Sequence, residues 1–354
     1  MIPLFDLSAT TRQLRKEIDE AIGRVLNSGV VIGGPEVAAF ETELAIACGA
    51  RYAIGCSSGT DALLALYMAS GLASGDEVVT TPLTFFATAG GAARLGCRLV
   101  FADIDPATLT LNPRAAETVT TTRTAAVVTV DLFGHPAAAP HIECPVLEDA
   151  AHRGGPPLPR GHAAAMSFFP TKILGALGDA GAVLTNDREL ADRVALLRSH
   201  GAHPKYHHVA VGGNFRLDAL QAAILRVKLR TLRDAVAARR ELAASYRRMF
   251  AASNVPDEMV LPADDPEHCY AQFVIRAPKR DALRVALERA EIQTAVYYPE
   301  PLHLAPCFSN LGYKRGSLPE AERAATEVLA LPFYPGLTES AQLQVVAAID
   351  SFYA

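Results

Sequence analysis

SFFPTKILGALGDAGAVLT, residues 167–185, sets one lysine between an aromatic pair and a run of small residues. The use made of that amine decides how the rest of the chain reads. The chain holds 6 lysines against 27 arginines, so Lys172 is poorly explained as one more solubilising charge. The apolar runs AAMSFF before it and GAVLTN after it read as buried strands. A lysine in an apolar loop between strands has a depressed pKa, because desolvation disfavours the ammonium form. A neutral amine is what Schiff-base formation with an aldehyde needs. Gly175, Gly178 and Gly181 make the following turn permissive, so backbone can pass close to a bound ring.

Working outward, YAIGC, DEVVTT, RLVFADID, AAVVTVDLF and PVLEDA supply five more strand-like runs between residues 52 and 150. Between the early ones lie the helix-like stretches TDALLALYMASGL and FFATAGGAARLG. This alternation predicts an α/β fold with a mostly parallel central sheet and helices on both faces. Right-handed crossovers then leave the ligand crevice at the carboxyl ends of the strands. Helices are expected at about 187–199 and 218–250. ASNVPDEMVLPADDPEH is a polar, proline-bearing connector. After it, YAQFVIRAP (strand), RDALRVALERAEI (helix) and QTAVYYPEP (strand), closed by two more helices, predict a small C-terminal α+β domain. The expected division is 1–235 for the large domain with its N-terminal segment, and 236–354 for the small one.

A chain of 354 residues with a formal net charge of -5 and half its residues apolar is that of a globular enzyme, and its charge argues against nucleic acid as a partner. No stretch of about 18 apolar residues offers a membrane span, and MIPLFDLSATTRQLRKEI lacks the features of a signal peptide. Cysteines 48, 56, 97, 144, 269 and 307 contain no CxxC pair, which suggests reduced thiols and a cytoplasmic protein. His207 and His208 are adjacent and face different ways, with no third ligand spaced nearby, so no metal is expected. No GxGxxG follows the first strand, which disfavours a Rossmann dehydrogenase.

Two further motifs bear on Lys172. In CSSGTDALLAL, residues 56–66, a strand runs through a Ser-Ser-Gly turn into a helix. Ser58 and Asp61 have capping-box spacing. Free N–H groups and the helix dipole make this an anion site, and Gly59 lets a phosphate approach. In PVLEDAAH, Asp149 ends an apolar strand, where it could pair with a ring N–H of a cofactor, as pyridinium partners do. Taken singly, the plainer readings are the stronger ones: a simple helix cap, and carboxylates capping the next segment.

The phosphate cradle, the strand-end acid and the later amine are jointly specific, and their order is that of fold-type I pyridoxal phosphate (PLP) enzymes. The motifs GPEVAAFETELA, SSGTDALLAL, TPLTFFATAGGAARLG, FADIDPATLTLNP, LEDAAH, SFFPTKILGALGDAGAVLTND, GGNFRLDALQAAIL and TAVYYPEPLH span nearly the whole chain. With them the chain resembles the DegT/DnrJ/EryC1/StrS family of nucleotide-sugar aminotransferases. The resemblance implies the following roles. Lys172 is the Schiff-base lysine and the proton carrier, and Asp149 holds the pyridinium nitrogen. Phe85 stacks on the ring, and His152 lies beside the phenolic oxygen. Ser58, Gly59, Thr60 and Ser167 bind the phosphate. Asn214 reaches the phosphate of a neighbouring subunit, which implies a homodimer with shared active sites. Tyr298, His303 and Arg216 approach the sugar. The implied reaction moves an amino group from L-glutamate to a keto nucleotide sugar. The run after the lysine, ILGALGDAG, resembles members acting on 3-keto sugars rather than the TTGEGG type acting on 4-keto sugars. A 4-keto sugar, a carbocyclic ketone or a non-catalytic regulatory homologue are the alternatives. A sugar dehydratase of the same family would carry histidine in place of Lys172. The chain departs from the family between GHPAAAPHIE and PVLEDAA, where most of one crossover helix is missing, and in the trimmed, proline-rich EDAAHRGGPPLPRGH.

Overall fold

Each of the seven apolar runs between residues 52 and 186 becomes a strand, and the seven pair into one sheet. The structure is a computed structural model describing Met1 to Ala354 apart from the side chains of Ala9 and Thr10. Three helices come first: α1 (Leu7–Gln13), α2 (Arg15–Ser28) and α3 (Gly34–Cys48). Then follow β1 (Tyr52–Cys56), α4 (Gly59–Ala69), β2 (Glu77–Thr80), α5 (Phe86–Arg94), β3 (Arg98–Phe101), α6 (Pro113–Val119) and β4 (Thr124–Val130). β5 (Val146–Asp149), β6 (Ala163–Ser167), β7 (Gly181–Thr185) and α7 (Arg188–Leu197) complete the sheet region. The strand order is β1-β7-β6-β5-β4-β2-β3. Only β7 runs antiparallel to its neighbours, β1 and β6.

Both faces of this sheet are buried, and the pleat sorts its residues between two cores. On β6, Ala163 and Ala165 join the core that contains Leu63, Leu66 and Tyr67 of α4. Ala164 and Met166 join the core that contains Phe40 and Leu44 of α3. That period of two explains why the strands read as continuous apolar runs. The link from β4 to β5 contains a short 3₁₀ turn, Leu132–Gly134, and no α-helix, in keeping with the short segment noted in the sequence.

The C-terminal part has its own core and a two-stranded sheet. Its elements are β8 (Phe273–Arg276), α10 (Arg280–Arg289), α11 (Pro319–Glu327), β9 (Val328–Leu331) and α12 (Glu339–Tyr353). Two expectations need correction here. The single helix expected over 218–250 is two: α8 (Ala219–Leu229) and α9 (Leu232–Ala251). The break falls where Thr231 folds back on the Lys228 carbonyl and Lys228 Nζ donates to the Gly175 carbonyl. α9 then runs from one core to another: Leu232 and Val236 pack with α3 and α8, Ala243, Tyr246 and Phe250 with β8 and β9. QTAVYYPEP is not a full strand but meets the sheet by one bridge, Ala295 to Ala330. Pro299 supplies no N–H to extend it. The partner of β8 is β9, in register Phe273 to Leu331.

Candidate active site

Parallel strands with short connections end on one edge of the sheet, and the side chains just beyond those ends face a cavity of about 510 Å³. Ser58 after β1, Thr84 after β2, Val130 of β4, Asp149 of β5 and Ser167 of β6 all line it. Lys172 enters from the loop between β6 and β7. The far wall comes from the C-terminal part of the chain: Gln272, Tyr297 and Tyr298.

Ser58 caps α4, its Oγ accepting the Asp61 N–H at 3.0 Å, and the first turn of the helix opens on the cavity. At Gly59 the sheet and helix touch. An added Cβ would lie 2.6 Å from Ser167 Cβ, so a side chain here would force the start of α4 away from the end of β6. Ser58, Gly59, Thr60 and Ser167 therefore form one cradle of the kind that holds a phosphate.

Asp149 is buried. Its Oδ2 accepts the Thr88 hydroxyl at 2.6 Å and its Oδ1 accepts the Ala151 N–H at 3.1 Å. Burial pushes its pKa up, while Thr88, Ala151 and the charge of Lys172 pull it down. Thr84 extends the chain, its hydroxyl 2.8 Å from that of Thr88. Lys172 shows the complementary effect: burial lowers its pKa from 10.5 to about 8, and the Asp149 carboxylate opposes the fall. An amine near neutrality thus shares the cavity with a carboxylate three strands from β1.

His152 is held neutral, its pKa pushed well down by burial and by the Lys172 charge. Its Nδ1 accepts the Phe133 N–H at 3.0 Å, which leaves the ring proton on Nε2. Phe133 has a positive φ of 58°, an uncommon geometry for an aromatic residue, which aims its N–H at the histidine. Phe85 ends the loop before α5, an exposed residue whose ring lies 6.3 Å from that of Tyr298. Burial and the nearby Asp149 charge raise the Tyr298 pKa, so its hydroxyl keeps its proton.

Of the residues expected at the site, Ser58, Gly59, Thr60, Phe85, Asp149, His152, Ser167, Lys172 and Tyr298 line one cavity. Asn214 and Arg216 do not. They lie exposed and paired with each other, Arg216 Nε donating to Asn214 Oδ1 at 3.0 Å. His303 does not either: it is 1% exposed, with Nε2 3.1 Å from Glu322 Oε1, turned away from any sugar in this cavity by its burial against α11. Sequence reasoning missed Thr88, Thr84, Phe5 and Gln272. Thr88 offered no signal beyond a single hydroxyl among the alanines and glycines of α5.

An amine held near neutrality beside a buried acid, at the carboxyl ends of parallel strands, is the arrangement of a PLP-dependent α/β transferase. The model of the DegT/DnrJ/EryC1/StrS aminotransferase family matches residues 12–350, and the chain belongs to that PLP-dependent family. A relative from Geobacillus stearothermophilus, named a pleiotropic regulatory protein, is 44% identical over 99% of this chain and 98% of its own. The UDP-2-acetamido-2-deoxy-3-oxo-D-glucuronate aminotransferase of Pseudomonas aeruginosa is 38% identical over 98% of this chain and 99% of its own. The crystal structure of S. venezuelae DesV in complex with ketimine intermediate matches with a TM-score of 0.94 at 37% identity, covering 99% of this chain and 98% of that one. The residues here fit the cofactor on two counts: the buried carboxylate of Asp149 is suited to a pyridinium, and the Gly59 cradle closes if a Cβ is added.

Proposed function

We propose that this protein aminates a 3-keto nucleotide sugar, with L-glutamate as donor, as a homodimer in the cytoplasm. The observation that carries the reading is the Lys172 amine, lowered to about 8 and set in one cavity with Asp149. A regulatory role without turnover would need neither group. The P. aeruginosa relative, whose name specifies a 3-oxo sugar, supports the position of the ketone and leaves UDP and dTDP as candidate carriers. Six cysteines, all free, suit a reducing compartment.

PLP, when bound, supplies an aldehyde and an electron-accepting ring. Lys172 Nζ is placed to engage that aldehyde and, once released by the donor amine, to carry a proton between the donor carbon and the cofactor. Its lowered pKa keeps a useful fraction unprotonated near neutrality. The Asp149 carboxylate, oriented by hydrogen bonds from Thr88 and Ala151, would hold a proton on the ring nitrogen. His152 Nε2–H would donate to the phenolic oxygen, Phe85 would cover one ring face, and the Gly59 cradle with Ser167 would take the phosphate. Asn214 and Arg216, paired with each other on the exposed surface of this subunit, would complete a partner's site. Incubation of the enzyme with glutamate and a panel of keto sugar nucleotides, read by mass spectrometry, tests the reaction. NMR of the product tests the carbon, and nitrogen on C4 refutes the 3-keto assignment.

A further inference from the structure

A second cavity, of about 80 Å³, lies beside the main one, bounded by the N-terminal segment, the Lys172 loop and the start of α9. Phe5, Thr171 and Lys172 line both cavities, so these residues form the partition between them. Phe5 supplies the one aromatic ring of that partition, from a segment far from the lysine in the chain. The smaller cavity is large enough for several waters, and Thr11, Thr231 and Lys228 give it polar groups to hold them.

The segment that carries Phe5 is anchored on the C-terminal part of the chain. Ile2 N–H donates to the Glu291 carbonyl at 2.8 Å, and Gln293 N–H to the Ile2 carbonyl at 3.0 Å. Leu4 N–H donates to Gln293 Oε1 at 3.1 Å, and its carbonyl accepts the Phe333 N–H at 3.3 Å. Both main-chain groups of Leu4 are therefore engaged one residue before Phe5. On the other side, Asp6 Oδ1 accepts the Ser8 N–H at 2.8 Å. A ring with two rotatable bonds, on backbone held from both sides, has few places to go.

We propose that Phe5 is a positioning residue that seals the side of Lys172 facing the smaller cavity, keeping water in that cavity away from the amine. The proposal rests on the reading of Lys172 as the reactive amine. Phe5 carries no charge, so it acts on the amine only through what it excludes. Water that reaches a buried amine favours the ammonium form, and the ring therefore helps to keep the amine neutral. The charges around the amine come from other residues: Asp149, His152 and Asp179 in the main cavity, and Asp6, Lys228 and Arg239 in the smaller one. Burial raises the pKa of Tyr297, Tyr298 and Tyr334, so these phenols keep their protons. All of these groups remain when the Phe5 ring is removed.

The test uses the full chain freed of cofactor, unsubstituted and as Phe5→Ala, Phe5→Val and Phe5→Leu. Trace acetic anhydride labels amines in their neutral form, and peptide mass spectrometry reads Lys172 against the exposed Lys279 at each pH. In Phe5→Ala the labelling midpoint of Lys172 should move alkaline by about one pH unit, so labelling near neutrality falls about tenfold relative to its alkaline plateau. Phe5→Val should give a smaller move of the same sign. Phe5→Leu, which keeps an apolar plug, should stay near the unsubstituted midpoint. A residue that only anchors the N-terminal segment would lower the melting temperature and leave the midpoint in place. A midpoint unmoved or moved acidic in Phe5→Ala and Phe5→Val overturns the proposal, and Phe5→Val decides it alone if the alanine variant does not fold. Borohydride fixation of the cofactor on another lysine of the unsubstituted holoenzyme refutes the reading of Lys172 itself, and the proposal falls with it whatever the labelling shows.

Discussion

Replacing Lys172 with methionine should make the cofactor-free protein more stable at neutral pH, and the gain should vanish in alkali. Burial lowers the amine from 10.5 to about 8. A base whose folded pKa lies below its unfolded value binds fewer protons when folded. Unfolding then takes up protons between about pH 8 and 10.5, and stability rises with pH across that window. Below pH 8 the amine is charged in both the folded and the unfolded protein, so folding must bury an ammonium and the full penalty applies. Above 10.5 the amine is neutral in both states and contributes nothing. A fall from 10.5 to about 8, at about 1.4 kcal/mol for each pH unit, costs the apoprotein about 3 kcal/mol. Unfolding entropy near 2.1 cal/mol/K per residue comes to roughly 0.7 kcal/mol/K for this chain, so the gain is about 4 °C. Methionine suits the test because its unbranched chain fills the same path without charge. Differential scanning calorimetry of both apoproteins at steps from pH 7 to 10.5 measures the difference. Equal melting at pH 7, or a gain that persists undiminished at pH 10.5, refutes the argument that desolvation holds this amine near neutrality.

Borohydride reduction of the holoenzyme should fix the cofactor on Lys172, and a peptide map with the label on another lysine would remove that assignment. Thr88→Val deletes a 2.6 Å hydrogen bond to the Asp149 carboxylate. Bonds to charged groups are worth about 1.5–3 kcal/mol, so cofactor affinity should fall tenfold or more in a fluorescence titration, and an unchanged affinity would exclude Thr88 from the site's electrostatics. Gly59→Ala drives a Cβ to 2.6 Å from Ser167 Cβ; overpacking of this kind costs about 1–3 kcal/mol, so melting temperature and cofactor affinity should drop together. Mixing inactive Lys172→Ala and Asn214→Ala subunits should restore part of the activity if Asn214 completes the neighbour's site. No recovery after proven subunit exchange argues against shared sites.

The parts of the site that were legible before folding are those whose chemistry is written locally. Lys172, Asp149 and the Ser58–Thr60 turn each sit at the end of an apolar run, and strand ends in a parallel sheet must converge on one edge. Thr88 was not legible because its role depends on Asp149, 61 residues away, arriving opposite one face of α5. Nor was the main-chain N–H of Phe133, since a backbone donor leaves no mark on residue type.

What the sequence by itself determined is the sheet: runs such as AAAM (163–166) and GAVL (181–184) carry no polar side chain, and a strand buried on both faces hides them. The candidate reactive amine is legible there too, because no other lysine lies between two such runs. Only the tertiary structure decided where α8 yields to α9, since alanine, leucine and arginine favour helix on both sides of Thr231 and the break answers to the contacts of Thr231 with the Lys228 carbonyl and of Lys228 with Gly175. It also decided the fate of His303, which reads like any exposed polar group near a sugar-facing loop but is sealed against Glu322. Periodicity reports how a segment is buried, whereas the neighbour that meets a given side chain is set by packing between segments far apart in the chain.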